Sequence, residues 1–134
     1  MINHGNTEEQ KHGILELEGL TQKIIECAII VHKKLGPGFL ESIYQAALPM
    51  ELKNKGFSVE TQKEIKIFYD NKMIGLYRLD LVVDGKVIIE LKTVKESDSA
   101  HIAQTLSYLK ATGLKIGLIL NFSKAVLKIK RVIN

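Results

Sequence analysis

Two acidic side chains and a lysine stand at the ends of neighbouring apolar runs, and these three residues have the types and spacing that could do chemistry. Asp80 precedes the apolar stretch 81–83, and Glu90 and Lys92 end the run that begins at Val87. Buried carboxylates and ammonium groups are costly unless they pair or hold a metal. Two carboxylates suit a hard cation such as Mg²⁺, which acidifies bound water and stabilises charge on a phosphoryl group. The lysine could then position or help deprotonate that water and offset phosphate charge.

Hydrophobic patterning selects how these residues are arranged on a β-hairpin. A two-residue Asp84-Gly85 turn would set Asp80 opposite Ile89 and place charged and apolar side chains together on both faces. A three-residue turn over 83–85, with Gly85 left-handed, instead separates the faces. We therefore predict this longer turn, with Asp80 and Glu90 on one face beside Lys92.

The predicted register makes specific cross-strand pairs. In it, Val82 faces Lys86, Asp80 faces Ile88 and Arg78 faces Glu90. The opposite face is then wholly apolar, and it consists of Leu79, Leu81, Val87, Ile89 and Leu91. An alternative without chemistry is that Arg78 and Lys92 simply pair with the two acids on a solvated sheet face.

Two helices flanking the predicted hairpin offer further polar groups. His101, Gln104 and Tyr108 share a narrow stripe on a helix because their spacing is three and four residues. These side chains could hydrogen-bond a bound water or a phosphate, although a capping surface stripe has the same pattern. Glu41 lies in the first turn of another helix, where the helix dipole alone favours a carboxylate.

The pattern of apolar residues predicts one mixed α/β domain over 19–134, preceded by a polar, loosely ordered arm at 1–18. Thr21 is the expected cap of the first helix, and Pro49 is expected to kink or break the second. The predicted order is ααβββαββ. The helices are expected at 21–35, 40–55 and 97–112, and the strands around 65–69 and at 73–83, 86–92, 115–121 and 126–132.

Charge and composition limit the classes of function. No apolar run approaches the roughly 20 residues of a membrane span, and residues 1–11 lack the apolar core of a secretion signal. A lone cysteine, Cys27, excludes an internal disulfide framework and favours the cytoplasm. The net charge is +4, but residues from Ser99 onward carry +6 and no acid. This asymmetry suits a phosphate-facing surface, and a solvated lysine-rich face explains it equally well. The candidate nucleic-acid contacts are His101, Lys110, Lys128, Lys130 and Arg131.

Three motifs occur in an order that resembles a known family. The stretch from Gly38 to Tyr44 has the form GxxExxY, and Asp80 followed by Glu90-Leu91-Lys92 resembles the PD-(D/E)XK nuclease core. The stretch from Gln104 to Tyr108 is similar to the QxxxY element of the RecB-like branch. The similarity to GxxExxY-type proteins extends from about Leu20 to Val132. One departure is that Leu79, and not a proline, precedes the first acid.

The resemblance implies a restriction-endonuclease-like core, with a mixed sheet flanked by helices, and hydrolysis of phosphodiester bonds that depends on Mg²⁺ or Mn²⁺. It implies that Asp80, Glu90 and the backbone carbonyl of Leu91 are metal ligands and that Lys92 is the catalytic lysine. Three supporting active-site residues are also implied: Glu41, Gln104 and Tyr108.

The expected partner is nucleic acid, with DNA first, and a homodimer is a further expectation because small nucleases often need to reach both strands. An alternative function is a catalytically silent module that keeps the fold and binds nucleic acid or a protein.

Overall fold

The computed structural model describes residues 4–96 and 98–134, and the side chains from residue 13 onward within those ranges. It contains three helices and five strands in the order ααβββαββ, which confirms the predicted order. The elements are α1 His4–Leu35, α2 Glu41–Asn54, β1 Val59–Tyr69, β2 Lys72–Val83, β3 Val87–Lys92, α3 Ser99–Thr112, β4 Ile116–Asn121 and β5 Lys128–Ile133.

The five strands form one mixed sheet in the spatial order β1-β2-β3-β4-β5. All neighbouring strands are antiparallel except β3 and β4, which are parallel. A parallel pair needs a long crossover connection, and α3 provides it. The segments that follow β3 and β4 are α3 and β5, and they carry the predicted site residues between His101 and Arg131.

Both faces of the sheet are covered. One apolar core lies between the sheet and the helices α1 and α2, and it includes Ile24, Cys27 and Leu48. A second core lies between the opposite face and α3, and it includes Ile88, Leu109 and Ile119. All six positions of β4 are buried for this reason, as is typical of a strand covered on both faces.

The first helix begins well before the predicted start. Thr21 is not a cap, because its hydroxyl donates to the carbonyl of Glu18 at 2.9 Å inside the helix. Residues 4–18, which their polar composition assigned to a loose arm, are helical, and residues 1–3 of that arm lie outside the described residues. Leu17 and Leu20 pack on the first core, and Glu16 pairs with Lys86 at 2.7 Å. Tertiary contacts thus support a helix that its local composition does not favour.

The second helix runs without a break from Glu41 to Asn54, with Pro49 inside it. Of the two effects expected of this proline, a kink or a break, the break does not occur. A proline removes one backbone hydrogen bond and crowds the preceding turn. Here Leu48 and Leu52, on either side of the proline, are fully buried, and their packing holds the helix together.

Candidate active site

The hairpin between β2 and β3 has the predicted three-residue loop, moved by one position along the chain. Val83 pairs with Val87, so the loop is 84–86, where the prediction had 83–85. Gly85 has the predicted positive φ, at 63°, and Asp84 is also left-handed at 52°. Asp84 can hold this conformation because its carboxylate accepts from the backbone amide of Ser58 at 2.9 Å.

The shift changes the cross-strand partners in the hairpin. Val82 lies opposite Ile88 and not opposite Lys86, and the regular pairing ends at Leu81 and Ile89. The predicted pairing of Arg78 with Glu90 is wrong. Arg78 lies opposite Glu64 on the outer strand β1 and forms an ion pair with it at 3.6 Å.

Beyond Leu81 the carboxylates of Asp80 and Glu90 bond to backbone amides across the strand pair. The amide of Asp80 donates to Oε2 of Glu90 at 2.9 Å, and the amide of Leu91 donates to Oδ2 of Asp80 at 2.9 Å. Each carboxylate is therefore held by a backbone amide of the strand that carries the other acid. This reciprocal arrangement brings the two carboxylates together at the point where the two strands diverge.

The side-chain alternation of β2 is interrupted at Asp80. Leu81 packs in the first core as predicted, whereas Leu79 packs in the second core with Val82 and Ile88. The prediction that Leu79 shares the face of Leu81 is therefore wrong, because a strand keeps alternation only while its ladder is regular. The face of Val82 and Ile88 is covered by α3, so the acids do not lie on the solvated sheet face of the alternative explanation.

Burial makes this pair of acids difficult to ionise together. Glu90 is only 3% exposed, and burial, followed by repulsion from the Asp80 carboxylate, raises its pKa to about 8. Burial also raises the pKa of Asp80, against the opposing effects of its bond from the Leu91 amide and of nearby Lys92. Such a site is stabilised by added positive charge.

Glu41, at the first turn of α2, belongs to the same electrostatic cluster. Its pKa is raised by burial, and the charges of Lys92, Asp80 and His101 act on it as well. The helix dipole is therefore not the only reason for an acid at position 41, because α2 places the Glu41 carboxyl beside the hairpin acids. Lys92 acts on all three carboxyl groups, yet within the described residues no ion pair closer than 4 Å joins it to any of them.

Gln45 is a site residue that the sequence analysis did not select. Its side-chain amide lies close enough to the Asp80 carboxylate to lower the pKa of that acid, against the larger effect of burial. The available signal was its spacing, because Gln45 follows Glu41 by four residues and so shares its helix face. That signal is weak without knowledge of which face of α2 meets the sheet.

Helix α3 brings its residues toward the acids to different degrees. Tyr108 is buried, and burial, then the negative charges of Glu90 and Asp80, raises its pKa to about 12. Its ring packs edge-on against Tyr77 at 5.1 Å between centroids. His101 lies near enough to act on Glu41, while Gln104, between them on the same stripe, is exposed.

The remaining predicted cations fall on different sides of the sheet. Lys128 and Lys130 line a cleft together with Lys92 and His101. Arg131 lies on the α1 side, where its Nη2 donates to Oγ1 of Thr21 at 3.4 Å. Lys110 is exposed in the last turn of α3. The structure thus brings three of the five candidate nucleic-acid contacts to the cleft beside Lys92.

The donor chemistry at the hairpin fits a hard divalent cation. Within residues 4–96 and 98–134, no three His, Cys, Asp or Glu side chains form a group that could hold a metal by themselves. The expected donor set is different, because it combines two carboxylates with the carbonyl of Leu91. The backbone of Leu91 lies beside the acids, since its amide donates to Asp80 and its side chain packs in the first core. Glu90 is buried and Asp80 is half-buried, and the repulsion between these two acids is the observation that calls for a cation.

The comparison with protein families identifies the class of protein that this fold and site define. The model of the PD-(D/E)XK nuclease superfamily matches residues 18–132. The chain belongs to this superfamily, whose members generally use divalent metal ions. The comparison with curated proteins found no match to the chain.

A solved structure supports the same fold. The chain is similar to the crystal structure of SSO0001, with a TM-score of 0.57 and 20% sequence identity. The similarity covers 69% of this chain and 49% of the other, so the chain spans about half the length of that protein. At this identity the likeness concerns the restriction-endonuclease-like fold. In the described part of the chain, no helix is long and apolar enough to cross a membrane.

Proposed function

We propose that this protein is a metal-dependent nuclease that hydrolyses phosphodiester bonds in DNA. The observation that carries the proposal is the reciprocal bonding of Asp80 and Glu90, which holds a half-buried and a buried carboxylate together beside Lys92. Structural ion pairs place opposite charges together, whereas this site concentrates acids whose ionisation is opposed by burial and by each other. Perturbed acids of this kind cluster at functional sites.

Asp80, Glu90 and the carbonyl of Leu91 would hold the cation, with Mg²⁺ as the proposed ion and Mn²⁺ as a substitute. A divalent cation supplies Lewis-acid stabilisation of the charge that develops on phosphoryl oxygens. Holding the acids by backbone amides keeps their geometry independent of flexible side-chain partners.

The other residues of the cluster act on the substrate and on water. Lys92 provides an ammonium that orients the attacking water and offsets negative charge on the phosphate. Glu41 adds a carboxyl group to the cluster, and its GxxExxY context supports the proposal that the chain belongs to the branch of the superfamily with that motif. Gln45 favours the charged form of Asp80, Tyr108 packs on the α3 side of the site, and Gln104 is the proposed support that remains exposed on the same helix.

The test is incubation of purified protein with linear, circular and single-stranded DNA in Mg²⁺ or Mn²⁺, beside the Asp80→Asn variant. Wild-type protein is expected to cut at least one of these substrates, and EDTA and Asp80→Asn are expected to abolish cutting. Cleavage that survives in Asp80→Asn would contradict the proposed site. Absence of Mn²⁺ binding by wild-type protein in a calorimetric titration would favour the silent module.

A further inference from the structure

A cleft beside Lys92 separates the N-terminal part of α3 from the last strand, β5. The residues that matter for its chemistry are Lys92, His101, Ile119, Asn121, Lys128 and Lys130. Lys92 belongs both to this cleft and to the cluster of acids described above. The cleft therefore adjoins the proposed reaction centre at Lys92.

The register of β5 explains why its two lysines face this cleft. Lys128 pairs with Asn121 and Lys130 pairs with Ile119, and paired residues of neighbouring strands share a face. Arg131, one position further, lines a separate cavity on the α1 side together with Lys115. The sheet thus divides the positive C-terminal region into two sets of cations on opposite faces.

The described residues that line the cleft carry a positive net formal charge. They include three lysines and a histidine, and Asp98 is the one acid among them. The Asp98 carboxylate already accepts from the Ala100 amide at 2.9 Å as the cap of α3. Asn121 holds the wall rigid, since its side chain donates to the Val94 carbonyl and accepts from the Ser123 amide. A fixed wall bearing several cations with one engaged acid is a surface for polyanions.

We propose that Lys128 and Lys130 bind backbone phosphates of the nucleic-acid strand next to the phosphate that is cleaved, and that the strand leaves the active site along this cleft. The inference rests on the proposed function and adds a direction to it. The strand runs over the α3–β5 side of Lys92, and the cations of the α1 side do not take part. Lysine side chains act here as point charges on phosphates and carry no base preference.

The test compares two double variants that remove the same charge from opposite faces of the sheet, Lys128→Ala/Lys130→Ala and Lys115→Ala/Arg131→Ala. Binding of a fluorescein-labelled 20-base-pair duplex and of a single-stranded 20-mer is measured by anisotropy in EDTA at several salt concentrations. Each lost phosphate contact lowers the salt slope by about 0.9 for duplex or about 0.7 for a single strand. The cleft variant is expected to lose about 1.8 on duplex, with binding at 0.1 M salt weaker by about tenfold or more. The α1-side variant is expected to stay within about twofold of wild type.

Equal losses in both variants, no loss in the cleft variant, or no binding of either probe by wild-type protein would overturn the inference. Lys128→Arg/Lys130→Arg is expected to restore binding because it keeps both charges, and thermal unfolding checks that each variant is folded. Cleavage is scored separately on the same DNA. Wild-type protein that binds through the cleft and cuts nothing would refute the proposed function alone, whereas a cleft variant that binds and cuts like wild type would refute only the path.

Discussion

The two halves of the β1–β2–β3 region use the same residue types in opposite ways. In the outer half, Arg78 and Glu64 pair across two strands at 3.6 Å, with side chains 60% and 53% exposed. Two residues along β2, half-buried Asp80 meets a second acid, Glu90, which is buried. An exposed pair of opposite charges contributes about 0–1 kcal/mol to stability. Burial and a neighbouring like charge instead raise the pKa of an acid and so change its protonation state.

The apolar residues show the same contrast. Phe68 and Ile74, near the tip of the β1–β2 hairpin, are 59% and 65% exposed, while Leu79 and Leu81 are fully buried. The tip extends beyond β3, which is six residues long beside the twelve of β2. The two halves differ because β3, β4 and the helices cover the inner half more completely than the outer half. Burial, more than residue type, thus separates a surface ion pair from a reactive cluster.

The largest expected difference is between the loss of a positive side chain from the buried half and the loss of one from the exposed half. Lys92→Ala should lower the rate of DNA cleavage by about 10³-fold, since groups that orient or move protons contribute roughly 10²–10⁴-fold. Arg78→Ala, which also removes one positive charge, should cut DNA within about twofold of wild type. The measurement is single-turnover cleavage in Mn²⁺. Equal losses in both variants would show that general charge, and not the buried cluster, drives activity.

The next effect concerns stability and pH in metal-free protein. Because the pKa of Glu90 is raised from 4.5 to about 8, the native state keeps a proton that the unfolded state has lost between these values. This group's contribution is therefore full below pH 4.5, and it falls by about 1.4 kcal/mol per pH unit until about pH 8. Glu90→Gln keeps an acceptor for the Asp80 amide without a charge, and its stability relative to wild type should rise by roughly 3 kcal/mol from pH 4.5 to pH 7.

Urea unfolding in EDTA at several pH values measures this difference. Glu64→Gln is the matched control, since Glu64 is exposed and should show no comparable gain with pH. A parallel pH dependence in wild type and Glu90→Gln would mean that Glu90 is charged in the folded protein at neutral pH.

A smaller effect is expected in metal binding. A cation must displace the proton that Glu90 holds below pH 8, so Mn²⁺ affinity should increase about tenfold from pH 6 to pH 7. Calorimetry in two buffers of different ionisation enthalpy should detect release of about one proton at pH 7. Asp80→Asn should abolish binding, and Glu64→Gln should leave both affinity and proton release unchanged. Affinity independent of pH would place the metal away from Glu90.

The smallest expected effect concerns the ion pair in the exposed half. A double-mutant cycle with Glu64→Gln and Arg78→Ala should give a coupling of about 0.5 kcal/mol or less that disappears in 1 M salt. Urea unfolding of the four proteins at neutral pH provides the measurement. A coupling above about 2 kcal/mol would show that exposure is not what distinguishes this pair from the buried acids.

Local patterns in the sequence determined the element order, the length of the hairpin loop and the positive φ of Gly85, because periodicity and turn chemistry act over a few residues. They also brought Asp80 and Glu90 to one place, since these acids are joined by a short hairpin. The position of the loop was one residue off, because Asp84 is held by Ser58, which is 26 residues away.

Only the tertiary structure decided which distant groups join the acids. Gln45 lies near Asp80 because α2 packs on the sheet, and Leu79 joins the second core because the regular pairing of β2 skips Asp80. Lys130 and Arg131 point to opposite faces because they are adjacent in a strand, but the tertiary structure decides which face meets the cleft and which meets α1. Packing between segments far apart in the chain sets these contacts, and it also sets the burial that raises the pKa of Glu90.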